Sequence, residues 1–88
     1  MQELTISNLE RCFFKASQQN KRFVGVLIEM PGFKKPEVII NPNDNFDNKF
    51  AYYREAYDEN LNHKHAKGIR IIGFTYGDSF GELERDMI

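Results

Sequence analysis

Phe23-Val24-Gly25-Val26-Leu27-Ile28-Glu29-Met30, running directly into Pro31-Gly32-Phe33-Lys34-Lys35-Pro36, decides the fold of this chain. The first stretch is almost continuously apolar, with Val24, Val26, Ile28 and Met30 on one face and Phe23, Gly25 and Leu27 on the other. That is the pattern of a central strand. The second stretch holds two prolines and a glycine, which stop a strand and turn the chain. Glu37 to Asn41 then supplies a shorter strand through Val38, Ile39 and Ile40. The two strands read as a β-hairpin whose first strand is central to a sheet.

Working outward, Leu9, Cys12, Phe13 and Ala16 recur at three-and-four spacing, which predicts an amphipathic helix from Thr5 to about Gln19. Ser7-Asn8-Leu9-Glu10 has the form of a capping box, and Thr5 is the competing cap, with Leu4 and Leu9 as its apolar staple. Asn20 suits the left-handed turn that closes many helices. On the other side of the hairpin, Asn41-Pro42-Asn43-Asp44-Asn45 is a turn. Phe46, Phe50, Tyr53, Tyr57 and Leu61 then form an aromatic stripe that predicts a long helix ending near His63.

Ile69 to Tyr76 predicts a third strand, with Ile69, Ile71, Gly73 and Thr75 on one face and Arg70, Ile72, Phe74 and Tyr76 on the other. Ser79-Phe80-Gly81-Glu82 is another capping-box candidate, for a short terminal helix with Phe80, Leu83 and Met87 on its apolar side. Gly81 counts against that helix. The expected fold is therefore α+β in the order α-β-β-α-β, a mostly antiparallel three-stranded sheet with two main helices on one face. The first strand lies between the other two. A sheet covered on one side leaves apolar positions bare on the other, so the protein is expected to self-associate.

A chain of 88 residues has room for one hydrophobic core, and residues 1–88 are expected to form a single domain. Eight Phe and four Tyr give such a core much of its area. The single cysteine, Cys12, cannot form an internal disulfide, which favours a reducing compartment. No apolar run approaches the length of a membrane span, and no signal peptide is visible at Met1-Gln2-Glu3-Leu4, so the expected location is cytoplasmic. The net charge of −1 provides no overall field to attract nucleic acid or an anionic membrane.

Catalytic material is sparse. Cys12 falls on the apolar stripe of the first helix, where a thiol is an inert core group. His63-Lys64-His65 offers two imidazoles in place of the three or four ligands of a zinc site, so no metal or cofactor is expected. Gly73-Phe74-Thr75-Tyr76-Gly77 matches no phosphate-binding loop, and Ser79 lacks the first glycine of a hydrolase elbow. Binding is the better-supported class. Phe33 has no periodic place in either strand, and Tyr52 sits off the core stripe, so both are expected to be displayed to a protein partner along with Lys34 and Lys35. The leading expectation is a non-enzymatic protein-binding accessory or adaptor. The alternative is a nucleic-acid-associated regulator using Lys34 and Lys35 with the basic segment Lys64, Lys67 and Arg70. A small enzyme of unassigned reaction is the third class.

Overall fold

The computed structural model describes residues 3–87. Its elements run α1 (Ile6–Gln18), β1 (Phe23–Glu29), β2 (Glu37–Pro42), a 3-10 turn (Asn43–Asn45), α2 (Phe46–Ala56), β3 (Arg70–Gly77) and α3 (Phe80–Met87). The sheet order is β2-β1-β3 with both pairings antiparallel, the arrangement expected of a hairpin with a returning third strand.

Local chemistry sets most boundaries. Thr5, not Ser7, caps α1: its backbone is extended and its Oγ1 accepts the Asn8 N–H at 3.2 Å. At the other end Asn20 takes φ 55°, and the N–H groups of Asn20 and Lys21 reach Ser17 O and Ala16 O at 3.2 and 2.9 Å. That paired closure satisfies two of the carbonyls a helix end leaves unbonded. Ser79 caps α3 by accepting the Glu82 N–H at 3.2 Å, while the Glu82 carboxylate accepts the Asp78 N–H at 3.2 Å. The terminal helix therefore forms despite Gly81.

The sheet face formed by Val24, Val26, Ile28, Ile71 and Phe74 packs with Leu9, Cys12, Phe13 and Ala16 of α1 and Phe46 and Tyr53 of α2. Phe13 meets Phe46 edge-on at 5.4 Å, an aromatic geometry that adds about 0.5–1.5 kcal/mol beyond burial. Phe50 is only half-buried, packed against Phe13 at 5.8 Å, so the centre of the stripe lies at Phe46 and Tyr53.

Two expectations about register are corrected. The α2 helix stops at Ala56 instead of continuing to His63, because Tyr57 turns extended and pairs with His63. The Asp58 carboxylate drives this exit, accepting the N–H groups of Asn60 and Asn62 at 2.9 Å each. Leu61 takes φ 64° in the resulting turn yet is fully buried, so the aromatic stripe identified core residues without identifying helix. In β3, Leu27 pairs with Gly73 but Ile28 with Ile71, which makes Ile72 the extra residue of a bulge. Ile71 and Phe74 consequently share the core face, where strict alternation had put them on opposite sides.

The face away from α1 and α2 is not bare. Leu83 of α3 is fully buried over Gly25, and a Cβ on that glycine would lie 2.8 Å from Met87 Cε and 3.3 Å from Leu83 Cδ1. The Phe80 ring packs against Phe23 with centroids 5.0 Å apart and planes tilted by 56°. With Gly25 and Leu27 covered and Val38, Ile40 and Ile72 half-buried, the ground for expecting self-association is much reduced. Among the described residues, no helix is long and apolar enough to cross a membrane.

Candidate functional site

Phe33, Lys34 and Lys35 lie at one end of the sheet, beside the loop that carries Lys67. Met30-Pro31-Gly32-Phe33 closes as a turn, with Phe33 N–H donating to Met30 O at 3.3 Å and Gly32 at φ 86°. Proline followed by a left-handed glycine gives a type II turn. The chain leaves β1 at Glu29 and enters β3 at Arg70, and these two residues are register partners. The 31–36 turn and the loop before β3 are therefore neighbours. Gly68, at φ 90°, presses on Pro31 so closely that a Cβ there would lie 2.7 Å from Pro31 Cγ.

Phe33 is 66% exposed at the tip of this pole, as expected. Lys34, Lys35 and Lys67 are exposed around it, and neither ion pair among the described residues involves them. The rest of the basic segment is otherwise engaged. Arg70 pairs with Glu29 at 3.5 Å, and Lys64 closes the end of α2, its N–H reaching Ala56 O at 2.8 Å and its Nζ reaching Arg54 O at 3.4 Å. Residues 63–69 form a loop, where the longer helix had implied a basic helix end. Tyr52 is 56% exposed on α2 and lines a shallow hollow with Glu55, Ala56 and His65. It belongs to the flank of the molecule; the structure does not bring it to Phe33.

The groups with potential chemistry are quiet. Burial pushes the Cys12 thiol up to about 12, with Lys15 opposing, so it is no thiolate at neutral pH. Burial also pushes the Tyr53 hydroxyl up to about 12, and burial followed by Tyr52 raises that of Tyr57. His63 Nδ1 accepts the His65 N–H at 3.1 Å, and its ring meets Tyr57 edge-on at 5.1 Å. Among the described residues no three His, Cys, Asp or Glu side chains gather as metal ligands.

Sequence reasoning missed a groove of about 510 Å³ between α1 and β3, lined by Glu3, Arg11, Cys12 and Lys15 on one side and by Phe74, Thr75 and Tyr76 on the other. Its one sequence signal is the four-residue spacing of Arg11 and Lys15, which places both cations on the same side of α1. Exposed Phe14 was also unmarked by periodicity, and Phe80, expected on the apolar side of the terminal helix, is 58% exposed. Compared with models of known protein families, with curated proteins and with solved structures, the chain matches none.

Proposed function

We propose that the protein is a non-enzymatic binding module, an accessory or adaptor, that contacts a partner protein through the pole formed by the 31–36 turn and the 64–69 loop. The observation that carries this reading is the two-thirds exposure of Phe33 at a tip held by the Pro31-Gly32 turn and braced by Gly68. An aromatic ring on a preformed turn buries large area on binding with little further loss of conformational freedom. Lys34, Lys35 and Lys67 around it favour a partner surface with acidic groups at the rim. A reducing compartment belongs to the same proposal, supported by the lone, buried Cys12.

The test replaces Phe33 with a photo-crosslinking phenylalanine analogue, with exposed Glu84 as the control position, and identifies what is captured at 33 alone. Against that partner, Phe33→Ala should weaken binding by about tenfold or more, and charge reversal of Lys34 and Lys35 should weaken it less. A nucleic-acid partner is the second reading, favoured by the Pro31–Gly68 contact that places Lys67 beside the Lys34 and Lys35 turn. It predicts the opposite order: the lysine changes dominate and lower the log–log salt slope by about one per lost phosphate contact. Capture at neither position, or equal capture at both, rejects the pole.

A further inference from the structure

The groove between α1 and β3 has a wall of unusual composition. Phe74, Thr75 and Tyr76 are consecutive, and consecutive strand side chains point to opposite faces. Phe74 and Tyr76 face α1 and Thr75 faces away, so the groove spans both the inner side of β3 and its outer edge, where, among the described residues, backbone N–H and C=O groups have no neighbouring strand. The edge is partly capped: Ile71 N–H donates to Leu61 O at 2.9 Å, and Asn62 bridges Arg70. From Gly73 to Gly77, among the described residues, no strand lies on that side.

We propose that this groove receives an extended acidic segment of a partner protein, which adds to β3 as a fourth strand. Main-chain bonding to an open edge is a general route to peptide recognition, with side-chain pockets supplying selectivity. Here α1 supplies the selectivity: Arg11 and Lys15 outnumber Glu3, the one acid of the lining, and leave the groove net positive. Arg11 and Lys15 are four residues apart, about 6 Å along the helix axis. Alternate residues of a strand are about 6.6–6.8 Å apart and point to the same face, so acids at two alternate positions of the added strand match the two cations. Arg11 Nη1 donates to Asn8 Oδ1 at 3.3 Å, which holds the guanidinium against the helix.

A second copy of the chain is the poorer occupant. Its β3, Arg70 to Gly77, contains no acid and one arginine, so edge-to-edge pairing would set no acid of the added strand itself opposite Arg11 and Lys15. This surface lies along β3 and is independent of the Phe33 pole, so failure at either leaves the other standing.

The experiment selects a display library of short random peptides against the intact protein. Selected peptides should carry Asp or Glu at alternate positions. They should shift and protect from exchange the amides of residues 73–77, as read by NMR. Combined Arg11→Glu and Lys15→Glu substitution should weaken binding about tenfold in a protein that remains folded, since both side chains are exposed. N-methylation of alternate peptide amides should abolish binding to the unsubstituted protein. A neutral or basic consensus, no enrichment, perturbation at another surface, indifference to charge reversal, or undiminished binding of N-methylated peptides overturns the proposal. So does dilution-dependent exchange of residues 73–77 in the protein alone, which would assign the edge to self-pairing.

Discussion

Tyr53 Oη donates to Asn41 Oδ1 at 3.3 Å, tying α2 to the edge strand β2 through a side chain that is wholly excluded from solvent. Asn41 Nδ2 in turn donates to Val24 O at 3.0 Å, so the pair bridges helix, edge strand and central strand. A buried polar group that loses its partner costs about 1–3 kcal/mol, whereas removing both members costs less than the sum. Tyr53→Phe and Asn41→Leu should each lower the denaturation free energy by that order. The double variant should recover part of the loss; strict additivity would show that the two groups act independently.

Leu61 combines a left-handed backbone with complete burial. Leu61→Ala should cost about 2–5 kcal/mol through lost packing and a cavity. Glycine accepts φ 64° without the penalty of about 1–2 kcal/mol borne by other residues. Leu61→Gly should therefore be no less stable than Leu61→Ala. In a helix the order reverses, glycine falling about 1 kcal/mol below alanine, so chemical denaturation of the two variants reads the local conformation directly.

The same residue shows how far the fold was legible in the sequence. Spacing reported burial correctly at Phe46, Tyr53, Tyr57 and Leu61, because a core selects apolar side chains whatever backbone presents them. It could not report that Asp58 would capture two backbone N–H groups and end the helix. Other short-range devices were readable, as at Thr5, Asn20 and Ser79. The Ile72 bulge was not readable, since it arises from pairing with β1 and has no local signature. The turn residues around Phe33 were legible as displayed, but the meeting of Pro31 with Gly68 joins positions far apart in the chain. The α1–β3 groove was missed for a further reason: it forms between a helix and an outer strand that are far apart in the chain.

Cys12 makes stability depend on alkaline pH. Its pKa rises from the ordinary 9.0 to about 12 through burial, so the unfolded chain loses this proton before the folded one does. The thiol's contribution is fully present below about pH 9 and is lost as pH rises toward 12. Tyr53, raised from 10.0 to about 12, adds to the decline above pH 10. The fall due to Cys12 should be about half of 1.4 kcal/mol per pH unit at pH 9 and approach that limit about one unit higher. Denaturation curves of Cys12→Ala should flatten between pH 9 and 10 and still decline above it; an unaltered slope would contradict the burial assigned to Cys12.

Leu83 holds α3 over Gly25, which closes the outer sheet face. Leu83→Ala should cost about 2–5 kcal/mol. Leu83→Asp puts a charge where no partner exists and should lift α3, baring Gly25 and Leu27. Light scattering should then show apparent mass increasing with concentration more steeply than for the unsubstituted protein, because an uncovered apolar sheet face seeks a partner. Identical scattering from a folded Leu83→Asp protein would show that α3 does not protect this face.

Gly68 and Gly32 both lie at positive φ, 90° and 86°, but only Gly68 lacks room for a side chain. Gly32→Ala meets nothing within 4 Å, so its cost should be confined to backbone strain of about 1–2 kcal/mol. Gly68→Ala carries the same strain and in addition drives a methyl to within 2.7 Å of Pro31, whose ring cannot swing aside. The 64–69 loop must then separate from the hairpin turn. Gly68→Ala should be the less stable protein, and amide shifts in it should extend to Phe33 and Lys34, whereas those of Gly32→Ala should stop within the turn. For binding, the Phe33 pole requires the braced tip: Gly68→Ala should weaken the crosslink-identified partner even at temperatures where it remains fully folded. Full affinity in a folded Gly68→Ala protein would show that Phe33 acts alone and that the second loop contributes nothing to the contact.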